Sequence, residues 1–322
     1  MEVTNAQFSY FVNEYLKLPQ GRSKEYKAQA DRLIANLWSA ADKQPNLGIT
    51  KFLKTGSLWK GTVLRPASPE YGVDADIAVY IDSYATSPEV LDDLHARLRH
   101  LLMNSYPTKR ASDFTVQPRT LGIHFVDSGL DIDLVPIVTA GHKDGYGYQP
   151  SSSGEPLILS SVPLQLEFIR KHKEEYYNWT ATVRLLKRWR NHRELSQLRS
   201  FTIELIVCFL QDRDGPPTSI GEGLSRFWMF LAQELASTTV WFSATNGGLG
   251  VGNIERSPVC VIDPVNAENN VARRITQTEL DELAATAEES WELFWAATDV
   301  ATKAGTLEYL KQLFGRSFAI EE

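Results

Sequence analysis

The chain has 322 residues, 43% of them hydrophobic and 23% charged. These are ordinary globular values, which set aside disorder, collagen and coiled coil, and the length suits two lobes better than one core. Continuous apolar runs such as Leu205–Leu210 fall far short of the roughly 18 residues needed to span a bilayer. The opening MEVTNAQFSYF has neither the basic head nor the apolar stretch of an export signal, so a cytoplasmic protein without a membrane partner is expected. The net charge of −7 argues against a chain devoted to duplex binding, which needs a basic surface. Cys208 and Cys260 both lie in apolar runs (IVCFL, VCVID) and read as buried thiols in a reducing compartment.

The first forty residues read as helix, with Phe8, Phe11, Val12 and Tyr15, then Leu33, Leu37 and Ala40, at helical spacing. From about residue 50 short strands and loops take over. DADIAVYID (Asp74 to Asp82) is a strand candidate. Ser87-Pro88 opens a helix with Leu91, Leu94, Leu98 and Leu101 on one face. DFTVQPR, GIHFVD and LDIDLVPIV are three further strand candidates, and His142 to Gly154 reads as a loop. Beyond residue 161 helices are expected to begin near Val162, Trp179, Ser200, Glu222 and Thr276. The last carries a capping box, Thr276 with Glu279, and an apolar face of Leu280, Leu283, Ala287, Trp291 and Phe294. The sequence thus reads as an α+β protein: residues 1–160 form an N-terminal helix and a mixed α/β lobe, residues 161–322 a helical lobe, with any cleft between the two.

The chemistry concentrates in GSLWKGT (Gly56 to Thr62) followed by VDADIAVYI. Asp74 and Asp76, two apart on a strand, point to one face. Like charges that close repel, and the usual reason to keep them is a divalent cation with oxygen preference, Mg²⁺ or Mn²⁺. Gly56 and Ser57 offer a backbone NH and a hydroxyl at close approach, as a phosphate needs. A third carboxylate should arrive from a neighbouring strand, and LDIDLVP supplies Asp131 and Asp133. In the helix from Trp179, the residues Arg184, Lys187 and Arg188 form a basic stripe, which either meets solvent or holds phosphates.

In this order these segments resemble the nucleotidyltransferases of DNA polymerase β type, and within them the second-messenger branch: oligoadenylate synthases, cyclic GMP-AMP synthase and the bacterial CD-NTases. VRLLKRW, RSFTIELI and VIDPVNAENNVAR, with SVPLQLEFI, look most like CD-NTases of clade C. The resemblance implies a polymerase β-type catalytic lobe with a mixed sheet, followed by an oligoadenylate synthase-like helical lobe. Its D-hydrophobic-hydrophobic-Pro pattern selects Asp133 over Asp131. It makes Asp74, Asp76 and Asp133 the catalytic acids and ligands of two Mg²⁺ ions. Gly56, Ser57, Lys187 and Ser200 then take the phosphates, and Phe201 stacks on a base.

The function implied is synthesis of a cyclic oligonucleotide, with cyclic tri-adenylate a plausible product, from ATP or related NTPs in anti-phage (CBASS) signalling. A HORMA-domain activator is implied as partner, and nucleic acid only as an activator. Two rivals stand beside this reading: a nucleotidyltransferase acting on RNA or protein, and a catalytically silent nucleotide-binding module. GGLGVGN (Gly247 to Asn253) resembles a phosphate loop but is followed by Pro258 and a strand rather than a helix. The six histidines show no metal-ligand spacing, His192 reads as a surface helix-end residue, and the tryptophans at 179, 189, 228, 291 and 295 read as core.

Overall fold

A computed structural model describes residues 3–43, 47–66, 72–83, 88–150, 157–243 and 257–320, without the side chains of residues 88, 89, 91 and 92. The chain divides into two compact units, Met1–Lys17 with Glu167–Glu322, and Leu18–Leu166.

The unit Leu18–Leu166 is built on α2 (Gln20–Ala41), β1 (Ile49–Thr55), the single turn α3 (Gly56–Lys60), β2 (Val73–Ile81), α4 (Pro88–Ser105), β3 (Phe114–Val116), β4 (Leu121–Phe125), β5 (Leu130–Val138), β6 (Tyr146–Gln149) and β7 (Ile158–Ser161). The sheet is mixed. Its order is β1-β2-β5-β4-β3, with β6 joined to β5 and β7 to β6. Among the described strands of this sheet, β2 and β5 are the pair that runs parallel. β4 covers the first half of β5, Leu130 to Leu134, and β6 meets its end at Val138.

Alternation along the central strands decides what each face carries. Ala75, Ile77, Val79 and Ile81 of β2 join Leu130, Ile132 and Leu134 of β5 in one core with Leu33 and Leu37 of α2 and Leu98 and Leu101 of α4. The opposite face begins with acids and ends in a small apolar cluster of Ala78, Tyr80, Ile137 and Val162. The helix from Pro88 and the strands expected in DADIAVYID, DFTVQPR, GIHFVD and LDIDLVPIV are all present. Ser87 and the Leu91 side chain lie outside the described residues. The segment read as a loop from His142 contains β6 in its described part, paired with β7. Tyr, Gly and Gln alternate there too briefly to signal a strand.

The other unit contains α1 (Asn5–Phe11), α5 (Val162–Glu175) from Glu167 onward, α6 (Trp179–His192), α7 (Ser200–Asp214), α8 (Ile220–Gln233), the hairpin β8 (Ile262–Asp263) and β9 (Asn266–Asn270), α9 (Gln277–Asp299) and α10 (Lys303–Phe314). The helices begin where expected, except that α8 starts at Ile220 behind an N-cap from Ser219 rather than at Glu222. The capping box of Thr276 and Glu279 is formed. α10, whose apolar positions Leu310, Leu313 and Phe314 are buried, was not anticipated.

One expectation is corrected. The first forty residues are not one helix: α1 runs into a π-helical turn at Val12–Leu16, Lys17 is extended, and α2 restarts behind Pro19. Proline has no NH to donate and disfavours helix in the residue before it. The first segment also belongs to one compact unit with Glu167–Glu322. Phe8 is fully buried, with ring centroids 6.4, 6.5 and 6.3 Å from Phe294, Phe314 and Phe318. Asn5 Oδ1 accepts from the Ile220 amide at 2.7 Å, at the start of α8.

Trp179, Trp189 and Trp228 are fully buried, and Trp189 Nε1 donates to Ser290 Oγ at 2.8 Å. Trp295 departs from the expected core role, being 55% exposed. Cys208 is buried and Cys260 half-buried, and neither is joined in a disulfide. Among the described residues no helix is long and apolar enough to cross a membrane.

Phe8→Ala should lower stability by about 3–5 kcal/mol, the usual result of truncating a buried phenylalanine. Thermal denaturation combined with limited proteolysis checks this. New cleavage should appear within residues 167–320, and cleavage confined to the first twenty residues would contradict the packing described.

Candidate active site

The parallel register sets Asp74 beside Asp131 and Asp76 beside Asp133. Partners in register on adjacent strands point to the same side, so four carboxylates stand as two lateral pairs on the face opposite the helical core. Asp74 is exposed at the rim, while Asp76, Asp131 and Asp133 are half-buried. Burial, then the negative charges of Asp76, Asp74 and Asp131, push the Asp133 carboxyl up to about 6. Asp74 is raised too, first by desolvation and then by Asp131. Its side chain reaches solvent, yet the surrounding protein withdraws enough water to penalise the charge.

Glycines give these acids their space. Gly56 follows Thr55, the residue of β1 in register with Asp76. It has φ +78°, and a Cβ there would collide with the Asp76 carboxylate. A Cβ on Gly122 of β4 would lie 2.8 Å from Asp133 Oδ1, and one on Gly72 would run into Asp131. Ser57 is half-buried, and its carbonyl accepts from the amides of Thr62 and Val63 at 2.9 and 3.1 Å. Buried Leu58 anchors the turn.

Asp131, left outside the catalytic set, has a definite partner: His124 Nδ1 lies 2.7 Å from its Oδ1. Sequence reading missed His124 because the pairing arises only from the register of β4 against β5.

The donor set suits a hard divalent cation: oxygen ligands only, rigidly held, and mutually repelled in a way that positive charge would relieve. Among the described residues no three acidic, histidine or cysteine side chains close around one point as a finished cage.

Lys187, Ser200 and Phe201 belong to the other unit. The basic stripe expected there is internal rather than solvated. Lys187 Nζ pairs with Glu204 Oε1 at 3.3 Å. Arg184 is buried, which lowers its guanidinium to about 10. Arg188 Nε donates to the Phe314 carbonyl at 2.6 Å. Ser200 opens α7, and its hydroxyl accepts from Arg190 Nη1 at 3.2 Å. Phe201 is half-buried. His192 is exposed at the end of α6, as expected. The Gly247 to Asn253 loop lies outside the described residues.

Residues 1–155 match the family model of the Second Messenger Oligonucleotide or Dinucleotide Synthetase domain. The whole chain is 32% identical over 322 residues to the CBASS oligonucleotide cyclase CdnC of Escherichia coli (strain KTE188), covering 100% of this chain and 99% of that one. The chain belongs to the CD-NTase family. It is 30% identical over 321 residues to the cyclic AMP-AMP-AMP synthase of E. coli (strain MS 115-1), covering 98% of each. The solved structure of E. coli MS115-1 CdnC with ATP superposes with a TM-score of 0.84 at 29% identity, over 98% of this chain and 99% of that one. Vibrio cholerae DncV cyclic AMP-GMP synthase with its linear intermediate gives a TM-score of 0.76 at 12% identity, over 98% and 96%, which speaks for the fold. This CD-NTase is a nucleotidyltransferase that synthesises a cyclic oligonucleotide, and its likeness to CdnC agrees with clade C.

Two predictions follow from the crowding of the acids. Asp133 titrates near 3.8 when unperturbed and at about 6 in the fold. The folded state therefore holds the proton more tightly, and metal-free stability falls as pH rises through that window. Asp133→Asn should stabilise the metal-free protein near neutral pH by about 1 kcal/mol, a value discounted for solvent screening. The gain should vanish below about pH 4. Thermal melts in chelator across this range test it, and a variant no more stable than the parent at neutral pH refutes it.

Gly56→Ala should reduce turnover roughly 100-fold or more, since a displaced carboxylate loses its alignment, while the far-UV spectrum stays native. Activity within a factor of about three of the parent would show that Asp76 does not depend on the bare backbone at this position.

Proposed function

We propose that this enzyme condenses three ATP molecules into cyclic tri-adenylate in a Mg²⁺-dependent reaction, as part of CBASS anti-phage signalling in the cytoplasm. The observation that carries the reading is the lateral register of Asp76 with Asp133, beside Asp74. It gathers the acids required for nucleotidyl transfer on one face. The tri-adenylate product draws its support from the similarity to the cyclic AMP-AMP-AMP synthase. ATP draws support from the relative solved with that nucleotide.

Each bond formed joins a ribose hydroxyl oxygen to the α-phosphorus of ATP, releases pyrophosphate and frees one proton. Three such bonds close the ring. Asp74, Asp76 and Asp133 are assigned as the ligands of two Mg²⁺ ions, with Mn²⁺ an acceptable substitute. Bound ions would neutralise the triphosphate and lower the pKa of the attacking hydroxyl. Asp133 is also assigned to take up the released proton as the general base. Gly56 and Ser57 are assigned to the donor phosphates, Lys187 and Ser200 to the triphosphate, and Phe201 to stacking on a base. A phenylalanine in that role stacks but donates no hydroxyl hydrogen bond. Catalysis is then mainly positioning and charge neutralisation.

A HORMA-domain protein is the proposed activator. A relative whose solved complex pairs CdnC with such a protein matches this chain over 98% of its length.

The test is mass spectrometry of products from all four NTPs with Mg²⁺, with and without a HORMA-domain partner. A phosphatase-resistant cyclic tri-adenylate is expected, and Asp74→Asn/Asp76→Asn should abolish it. A different ring size or base would overturn the product assignment. Label transferred only to added RNA or protein would overturn the cyclase reading itself.

A further inference from the structure

Within the helical unit, α6 and α7 are joined by two polar rungs. Lys187 Nζ lies 3.3 Å from Glu204 Oε1, with side chains 4% and 0% exposed. Arg190 Nη1 lies 3.2 Å from Ser200 Oγ. The cations are three apart on α6, and their partners are four apart on α7, so each pair occupies one helix face. The earlier cation meets the later partner, as antiparallel neighbours require.

A buried ion pair is seldom retained for stability. Desolvating both charges offsets most of their attraction, and apolar residues of similar volume usually do as well or better. Glu204 moreover sits among buried Thr202, Ile203, Leu205 and Ile206, positions that an apolar residue would suit. The pair needs a reason beyond packing.

We infer that Glu204 is a positioning residue for Lys187. Its carboxylate takes one of the three N–H donors of the ammonium. It thereby fixes the direction in which that charge faces the triphosphate of ATP and offsets part of the cost of burying it. The inference rests on the assignment of Lys187 to the triphosphate made above. Ser200, held by the neighbouring rung, gains its orientation from Arg190 in the same manner.

The experiment compares Glu204→Gln, Lys187→Met and the double variant for ATP dissociation constant, KM, kcat and melting temperature. Glu204→Gln keeps the size of the side chain and removes its charge. It should weaken ATP binding and raise KM roughly 10-fold or more, as loss of a charged hydrogen bond does, with kcat changed much less. The double variant should bind ATP no worse than Lys187→Met alone, because Glu204 then has nothing to position. It should also melt above either single variant, because both members of the buried ion pair are removed together.

Parental ATP affinity and KM in Glu204→Gln, at whatever melting temperature, overturn the inference. So does additive weakening in the double variant. Unchanged ATP affinity in Lys187→Met overturns the Lys187 assignment as well, and so separates the two failures. Should Glu204→Gln fail to fold, Glu204→Asp serves, since it withdraws the carboxylate by one methylene while keeping the charge. A raised KM is expected there, and a parental KM overturns the inference.

Discussion

Strands β2 and β5 run parallel, and their register lays Asp74 against Asp131 and Asp76 against Asp133. A shift of either strand by one residue would turn that strand's two carboxylates into the helical core and its core side chains outward. The hydrophobic alternation of both strands therefore locks the register, and the register in turn fixes the acids. Ala75, Ile77, Val79, Ile132 and Leu134 are as much a part of the site as the carboxylates. The energy that holds four like charges together comes from the apolar face behind them.

Crowding is the chemical property of the site. The lift of the Asp133 carboxyl to about 6 reflects burial first and neighbouring charge second. Both effects favour whatever brings positive charge, whether a proton or a cation. Gly56 and Gly122 lie where a side chain would displace a carboxylate. The His124–Asp131 contact restrains the fourth acid at the edge of the group.

The helical unit uses its basic residues differently from a solvated charged face. Arg188 ties α6 to the end of α10 through the Phe314 carbonyl, Arg190 holds Ser200, and Lys187 holds Glu204. The aromatic core of the same unit is completed by Phe8 and Phe11 from the start of the chain, with Phe11 4.5 Å from Phe318. Residues far apart in sequence thus form one body, and a boundary drawn by composition alone divides the chain differently.

Local pattern carried much of this protein in its sequence. Period-two alternation and the Thr276–Glu279 capping box were enough to expect a mixed α/β lobe and a helical C-terminal part, because each depends on neighbours a few residues apart, and the order Gly-Ser, Asp-x-Asp, Asp carried the resemblance that implies a nucleotidyltransferase. What required the tertiary structure depends on pairing between distant segments. Asp131 beside Asp74, His124 on Asp131, the grouping of α1 with the C-terminal unit, and Glu204 on Lys187 all arise from strand register or helix packing. No local spacing encodes these, since the energies that select them come from burial summed over whole faces rather than from the residues that finally touch.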